Sequence, residues 1–330
     1  MDWLDKKIIT RLLGNCRESY RKIAREFNVS CPTIKSRVDR LRQWGVIQRF
    51  TAELSQETLG VDWVMVDLKT GDNGGKTELL QQFEANNCIG EVLMLGGGQY
   101  YVFAEVCPSE RRELISCLGK LNSVKSYHIS ELMPIRNGVI SGDCRYTTRG
   151  SKINLNQEQL NVLRHLVYNA RAPVNSIADS TGYSTKQIYQ MIREFIECDG
   201  INLTLQLNLP SSGMINFIMK YRIDSDRTGP FDATGLVTDL YPEEHWFTFF
   251  DPEAEEMLHY MTASNIMDVQ HVIQEISHLP YTEDVEAHII YSTMKAKSKT
   301  MAFFQEIQTN GRSGVNGFPA LTNNRFALSY

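Results

Sequence analysis

Two stretches of the chain, 154 positions apart, carry the same pattern of helix-capping and apolar residues. In each stretch a serine precedes apolar residues spaced three or four positions apart, as in an amphipathic helix with an N-cap. The matching positions are Ser30 and Ser184, Ile34 and Ile188, Val38 and Ile192, and Leu41 and Phe195. A chain of 330 residues with such an offset is expected to build one structural plan twice.

Each copy begins with a pattern typical of a winged helix-turn-helix. In the first copy, apolar periodicity predicts a helix from about Asp5, and Ser19 is placed to cap a second helix. Ser30 caps a third helix, which Gly45 ends, and a β-rich segment at 46–52 follows. Three short helices followed by a small strand predict a winged helix-turn-helix.

A second pattern, strand–helix–strand–strand–helix–strand, follows each helix-turn-helix. This order predicts a ferredoxin-like βαββαβ domain, in which two helices cover one face of an antiparallel sheet. The fold class is therefore α+β, with a winged helix-turn-helix followed by a ferredoxin-like domain, and the pair occurs twice. The predicted segments are a first winged helix-turn-helix at 1–54, a first βαββαβ domain at 60–134, a linker at 135–153, a second, degenerate winged helix-turn-helix at 154–209, a second βαββαβ domain at 213–292 and a flexible tail at 293–330.

Charge is distributed unevenly between these segments. Residues 1–50 contain 12 Lys and Arg against 5 Asp and Glu, whereas residues 209–292 contain 3 against 15. The net charge of −5 for the whole chain hides this contrast. A basic block beside an acidic one indicates that the first module faces a polyanion and that the acidic domain is kept away from it.

The outward face of the third helix supplies side chains that suit DNA. With the apolar stripe turned inward, hydroxyl and guanidinium groups point outward, and such groups bond to base edges and phosphates in a major groove. The predicted DNA-binding residues are Thr33, Ser36 and Arg37 for base contacts, Lys35, Arg40 and Arg49 for phosphate contacts, and Ser19 and Tyr20 at the start of the second helix.

The second helix-turn-helix lacks these side chains. At the positions equivalent to the predicted contacts on the third helix, it carries Gln187, Gln190, Met191 and Glu194. A carboxylate facing phosphate is repulsive, and this module has lost the positive field that supplies non-specific affinity for DNA. We expect it to act as a structural or dimerising copy.

The first half of the chain resembles the leucine-responsive regulatory protein/AsnC family of transcription regulators. The resemblance covers about residues 2–133 and rests on LDKKIITRLL, YRKIAREFNVS, SRVDRLRQWGVIQRFTAELSQETLG and the βαββαβ order. It implies a sequence-specific regulator that binds double-stranded DNA at a pseudo-palindromic site through the first winged helix. It also implies a homodimer or higher even oligomer formed through the βαββαβ domains, which in this family can bind a small effector.

The effector site implied by the resemblance departs from the family's pattern. Family members often have Gly-Asp-x-Asp between the middle strands, whereas this chain offers no carboxylate there to meet an ammonium group. A glycine-rich backbone either admits a ligand closely or makes a tight hairpin. The residues assigned to this site are Gly96, Gly97, Gly98, Gln99 and Tyr100.

Two other functions remain open at this point. Sirohaem decarboxylases resemble the same plan in two related halves, where the fold serves catalysis on a tetrapyrrole. An interaction scaffold anchored to DNA is the second alternative. The basic first module and the chemistry of the third helix favour a regulator that is not an enzyme.

Cysteine and histidine spacing predicts neither a metal site nor a cofactor. The chain has seven of each, with no CxxC pair and no HxxxH spacing. Cys31-Pro32 and Cys107-Pro108 fall at predicted helix starts, where proline is expected for conformational reasons. No run of 18 apolar residues occurs, so we expect a cytoplasmic protein without a membrane partner.

Overall fold

The computed structural model describes residues 1–71, 76–86, 88–135, 150–295 and 298–310. The first half contains α1 (Trp3–Gly14), α2 (Tyr20–Glu26), α3 (Cys31–Gln43), β1 (Ile47–Leu54), α4 (Gln56–Leu59), β2 (Asp62–Thr70), α5 (Lys76–Ala85), β3 (Ile89–Leu95), β4 (Gln99–Val106), α6 (Pro108–Lys120) and β5 (Val124–Ile135). The second half contains α7 (Gln157–Tyr168), α8 (Val174–Thr181), α9 (Thr185–Glu197), β6 (Ile201–Leu207), β7 (Ile215–Ile223), α10 (Pro230–Leu240), β8 (His245–Asp251), β9 (Glu256–Ala263), α11 (Ile266–Ser277), β10 (Thr282–Lys295) and α12 (Lys299–Asn310). These elements confirm the α+β class, and a helix-turn-helix followed by βαββαβ is found in each half.

Helix boundaries follow from short polar side chains and one glycine. Asp2 caps α1 in a capping box with Asp5, and the Ser30 side chain accepts a hydrogen bond from the Thr33 N–H at the start of α3. Gly45 ends α3 with a φ of 77°, a left-handed conformation that glycine adopts without a steric penalty. The position of α3 is therefore determined by local sequence.

Eight strands of the described residues form one closed barrel in the order β10-β3-β4-β2-β5-β8-β9-β7. Each βαββαβ unit contributes four consecutive strands to it. The two junctions between units are β3 with β10 and β5 with β8, both antiparallel. The two sheets therefore pair with each other within the chain.

Side chains alternate between the two faces of each sheet, as a strand period of two requires. On β2, Val64, Val66 and Leu68 pack in the cluster that includes α5 and α6 residues, whereas Met65 packs on the opposite, barrel-facing side. The second unit repeats this division, with Phe217 and Met219 in the cluster under α10 and α11. Each sheet is thus covered by its own helices, which leaves the helix-turn-helix modules outside the barrel.

The two helix-turn-helix modules are joined by their strands. β1 pairs antiparallel with β6 from Ile47 opposite Leu207 to Leu54 opposite Ile201. The strand that was expected to form a small wing of the first module is therefore hydrogen-bonded to its counterpart in the second module. Pairing satisfies backbone N–H and C=O groups that a lone strand would leave without partners.

The predicted flexible tail at 293–330 is wrong for its first part. β10 continues to Lys295, and α12 buries Met301, Ala302 and Phe304. The N–H of Leu54 donates to Thr300 Oγ1 at 2.9 Å, which ties α12 to β1. The apolar periodicity of α12 was not recognised in the sequence, because a 12-residue helix contains few helical periods. The lysines before it also made the segment look polar. Residues 311–330 of the predicted tail, and 136–149 of the predicted linker, lie outside the described residues.

Among the helices that the structure describes, none combines the length and the hydropathy that a membrane span requires.

Candidate DNA-binding surface and inter-sheet cavity

The outward face of α3 is accessible. Lys35, Ser36 and Arg42 are exposed, whereas Ile34, Val38 and Leu41 on the opposite face are buried. The helix lies on the surface of the described chain, so a major groove can approach it. We refer to the exposed side of α3 as the α3 face.

Two of the predicted DNA contacts are held by carboxylates at the start of α1. Arg37 Nη1 donates to Asp2 at 2.6 Å and to Asp5 at 2.9 Å, and Arg40 Nη2 donates to Asp5 at 2.9 Å. The Asp5 side chain is only 1% exposed, so its two arginine partners compensate a buried charge. Burial alone would raise the pKa of Asp2, but hydrogen bonds from Arg37 and from the Asp5 N–H hold it below its usual value. Arg37 and Arg40 are therefore fixed in place and partly neutralised.

Two of the predicted hydroxyl contacts, Thr33 and Ser19, take part in helix capping. Thr33 Oγ1 lies 2.7 Å from Ser30 Oγ, and Thr33 is half-buried. The Ser19 side chain accepts a hydrogen bond from the Lys22 N–H at the start of α2 and remains exposed. Both groups therefore have a local structural role at helix N-termini.

Tyr20 and Arg49 each contact a part of the chain outside the first helix-turn-helix. The Arg171 guanidinium of the second module lies 4.2 Å from the centroid of the Tyr20 ring, and burial raises the pKa of Tyr20. Arg49 Nη1 lies 3.5 Å from Met301 Sδ of α12. These two side chains therefore have partners outside α3, whereas Lys35, Ser36, Arg37 and Arg40 all lie on that helix.

Arg42 is a candidate contact that the sequence analysis missed. It is exposed and lies seven positions after Lys35, which is two helical turns along the same face. The i, i+7 spacing was the available signal. On α2, Arg21, Lys22 and Arg25 are also exposed and extend the basic surface of the module.

The corresponding surface of the second module has different chemistry. Tyr189 on α9 is 63% exposed, and Ile196 is exposed two turns later. Glu194 accepts hydrogen bonds from Gln159 at 3.3 Å and from Gln190 at 3.1 Å. This surface is accessible and presents aromatic, aliphatic and acidic groups beside two exposed cations, Lys186 and Arg193.

The glycine-rich segment between β3 and β4 borders a cavity of about 310 Å³ at the junction of the two sheets. Gly96 and Gln99 line it from the first unit, and His288 and Tyr291 line it from β10. The other predicted effector residues, Gly97, Gly98 and Tyr100, are adjacent in the chain but do not belong to this lining. The cavity therefore includes residues from both halves of the chain.

Two carboxylates from outside the glycine-rich segment contact residues of the cavity lining. Gln99 Nε2 donates to Asp67 Oδ1 of β2 at 2.9 Å, and a Glu286 carboxylate oxygen lies 3.2 Å from His288 Nε2. Tyr291 donates its hydroxyl to the Leu95 carbonyl at 2.6 Å. No sequence pattern indicated Asp67, because strand pairing, and not chain proximity, brings it to Gln99. Within the part of the chain that the structure describes, no cluster of three or more His, Cys, Asp or Glu has a metal-binding arrangement.

Residues 1–42 match the family model of the AsnC-type helix-turn-helix domain. Over 62 residues the chain is 50% identical to an uncharacterized HTH-type transcriptional regulator of Pyrococcus abyssi, a match that spans 19% of this chain and 42% of that protein. Over 140 residues it is 29% identical to an uncharacterized HTH-type transcriptional regulator of Pyrococcus furiosus, which covers 41% of this chain and 94% of the relative. The regulatory protein AsnC of Escherichia coli K12 is 39% identical over 62 residues, 19% of this chain and 41% of that protein. The first relative is thus matched over less than half of its length.

The architecture of the whole chain is similar to that of a solved enzyme. The crystal structure of the siroheme decarboxylase NirDL superposes with a TM-score of 0.59 at 11% identity, covering 94% of this chain and 99% of that one. At this identity the likeness shows the fold alone. The arrangement of two helix-turn-helix modules and two βαββαβ units is therefore found in a second protein, over nearly the full length of both chains.

Proposed function

We propose that the protein is a sequence-specific DNA-binding transcription regulator that acts through the α3 face. The observation that carries the proposal is the accessibility of this face on an AsnC-type helix-turn-helix domain in which basic residues outnumber acidic ones. Positive charge supplies non-specific affinity for the phosphate backbone, and the exposed helix supplies contacts with bases.

The contacts are divided by position and chemistry. Ser36 and Arg37, together with Thr33, face the bases, whereas Lys35, Arg40 and Arg42 contact phosphates. Lys35 and Arg42 are exposed and so can reach phosphate, and the Arg42 guanidinium also lies 5.8 Å from the centroid of the Phe50 ring. Arg37 and Arg40 approach DNA while they remain bonded to Asp2 and Asp5, which limits the positive charge that they add.

A salt titration with matched variants tests the proposal. Genomic fragments selected by the purified protein provide the site, and affinity is then measured across a salt series. The variants Lys35→Ala and Arg42→Ala should each weaken binding and reduce the salt slope by about one. Lys186→Ala removes an exposed lysine from α9 and should change neither quantity. A protein that binds no duplex at low ionic strength would refute the proposal.

We also propose that the inter-sheet cavity admits a small polar effector. Its lining includes the Gln99 amide, the His288 imidazole and the Tyr291 hydroxyl, and convergent polar groups in a concave site are typical of ligand binding. Isothermal titration with a panel of amino acids and other small metabolites tests this. Binding that Gln99→Ala abolishes would support the site, and binding that this variant leaves unchanged would place the ligand elsewhere.

The full-length likeness to a siroheme decarboxylase favours a tetrapyrrole enzyme as the second candidate. The described residues that line the inter-sheet cavity include no Lys or Arg to meet the carboxylates of such a substrate. An absorbance scan after mixing with sirohaem separates the candidates. A shifted spectrum followed by loss of carboxylate groups would favour the enzyme over the regulator.

A further inference from the structure

We propose that one chain is a complete DNA-binding unit and that its target is an asymmetric duplex with a single specific half-site. This inference rests on the proposed function and specifies the kind of DNA that the α3 face binds. It differs from the expectation of a homodimer that presents two copies of the first winged helix to a pseudo-palindrome.

The two helix-turn-helix modules contact each other in a reciprocal way. Arg17 of the first module donates to the carbonyl oxygens of Ala170 and Ala172 in the second module. Arg171 donates to the carbonyl oxygens of Cys16 and Glu18 in the first module. The two groups of contacts correspond residue by residue at an offset of 154 positions: Arg17 with Arg171, Cys16 with Ala170, and Glu18 with Ala172. Such exchange of identical contacts is the signature of a two-fold interface, which normally joins two chains.

The ferredoxin-like units repeat this relationship. β3 pairs with β10, and β5 pairs with β8, so each unit contributes one strand of each kind to the two junctions. The described strands close into a barrel and leave no edge at these junctions. The contacts that would join two chains through these sheets are therefore occupied within one chain.

The pseudo-two-fold relation gives α9 the place in the second module that α3 has in the first. Three exposed residues of the α3 face are Lys35, Ser36 and Arg42, and their equivalents on α9 are Tyr189, Gln190 and Ile196, which are also exposed. The exposed Asp39 between them has Arg193 as its equivalent on α9. Two cations are thus replaced by an aromatic and an aliphatic side chain. Because neither of those groups carries a positive charge, α9 lacks the cations with which α3 meets phosphate, and it does not bind a second half-site as α3 binds the first.

Binding to altered versions of the selected site tests this inference. One duplex keeps the half-site protected by the α3 face and has the flanking sequence scrambled on the other side. Affinity for it should remain within about twofold of that for the intact site, with one chain per duplex by mass photometry. A loss of more than about tenfold, or two chains on one intact site, would overturn the inference and leave the proposed function standing. Absence of binding to every duplex would overturn both.

A gain of function on α9 provides the second test. The triple variant Tyr189→Lys, Gln190→Ser and Ile196→Arg places the chemistry of the α3 face on exposed positions of α9, so folding should be preserved. Palindromic duplexes with two copies of the half-site are prepared at several spacings, beginning near one helical turn. At one spacing, the variant should bind at least about tenfold more tightly than the wild type, with no gain on the single half-site. Equal gains on both kinds of duplex would contradict the assigned geometry.

Discussion

Lys6 Nζ lies 4.3 Å from the centroid of the Trp246 ring and donates a hydrogen bond to the His245 carbonyl. This contact rests α1 of the DNA-binding module against β8 of the second sheet. Lys6 is 7% exposed, and burial lowers its pKa to about 7, although Glu243 and Glu244 act in the opposite direction. The same helix carries Asp5, which holds Arg37 and Arg40 of α3. One helix therefore connects the α3 face to the second sheet.

The burial of Lys6 predicts a dependence of stability on pH. Between about pH 7 and 10.5 the unfolded chain holds the lysine proton and the folded chain does not, so the free energy of unfolding rises with pH in this window. The slope is up to about 1.4 kcal/mol per pH unit for one proton. Lys6→Met keeps the apolar stem and removes the titration. Urea unfolding of both proteins across the window should show a wild-type minus variant difference that increases with pH. A constant difference would contradict the prediction.

Neutralising Asp2 is expected to strengthen DNA binding. Asp2→Ser retains an N-cap oxygen for α1 but removes a charge partner of Arg37. The freed guanidinium should tighten binding at low salt and steepen the salt slope by up to about one. Fluorescence anisotropy with the selected duplex measures both. Asp179→Ser removes an exposed carboxylate from α8 and is the matched control. Equal effects of the two substitutions would indicate a general charge effect and not the release of Arg37.

Two glycines of the segment between β3 and β4 should respond differently to alanine. A Cβ at Gly98 would lie 2.9 Å from Thr70 Oγ1, whereas a Cβ at Gly97 meets no atom within 4 Å. Both residues have positive φ, so each substitution costs about 1–2 kcal/mol of backbone strain. Gly98→Ala should therefore lower the free energy of unfolding more than Gly97→Ala in urea titrations. Thr70→Ala in the Gly98→Ala background should recover part of the loss. A similar cost for both single variants would show that Thr70 moves freely.

Truncation of Phe304 should reveal whether α12 is an integral part of the fold. This side chain is fully buried in the core that includes the helix-turn-helix modules. Phe304→Ala is expected to lower the free energy of unfolding by about 3–5 kcal/mol because it leaves a cavity. Phe304→Leu removes less volume and should cost less. Chemical denaturation of the two variants gives the values, and a change of under about 0.5 kcal/mol for alanine would contradict the packing.

Local sequence predicted the helices and strands of this fold better than it predicted which of them contact each other. The caps at Ser19 and Ser30 and the stripe of Ile34, Val38 and Leu41 lie where periodicity placed them, since both signals act within a few residues. The ion pair between Asp2 and Arg37 joins residues 35 positions apart, and no local pattern indicates it. The pairing of β1 with β6 escaped prediction for the same reason.

In the candidate site too, local sequence indicated which residues are outward-facing but not which distant residues they contact. Periodicity identified Lys35 and Ser36 as outward residues of α3, and both are exposed. It assigned Arg49 to a wing that faces phosphate, but the side chain contacts Met301 from the far end of the chain. At the cavity, the glycine-rich segment was visible in sequence, whereas Asp67 and His288 required the tertiary fold.

The reciprocal contacts of Arg17 and Arg171 carry a consequence for how this surface tolerates change. In a dimer of two identical chains, every substitution changes both sides of the two-fold interface at once. The new side chain must therefore be compatible with the same substitution in the other chain. Here each arginine has its own codon, so one side can be altered while the other is kept. Covalent linkage also holds the two modules at a one-to-one ratio at any dilution, which allows one module to specialise while its companion serves as a fixed support.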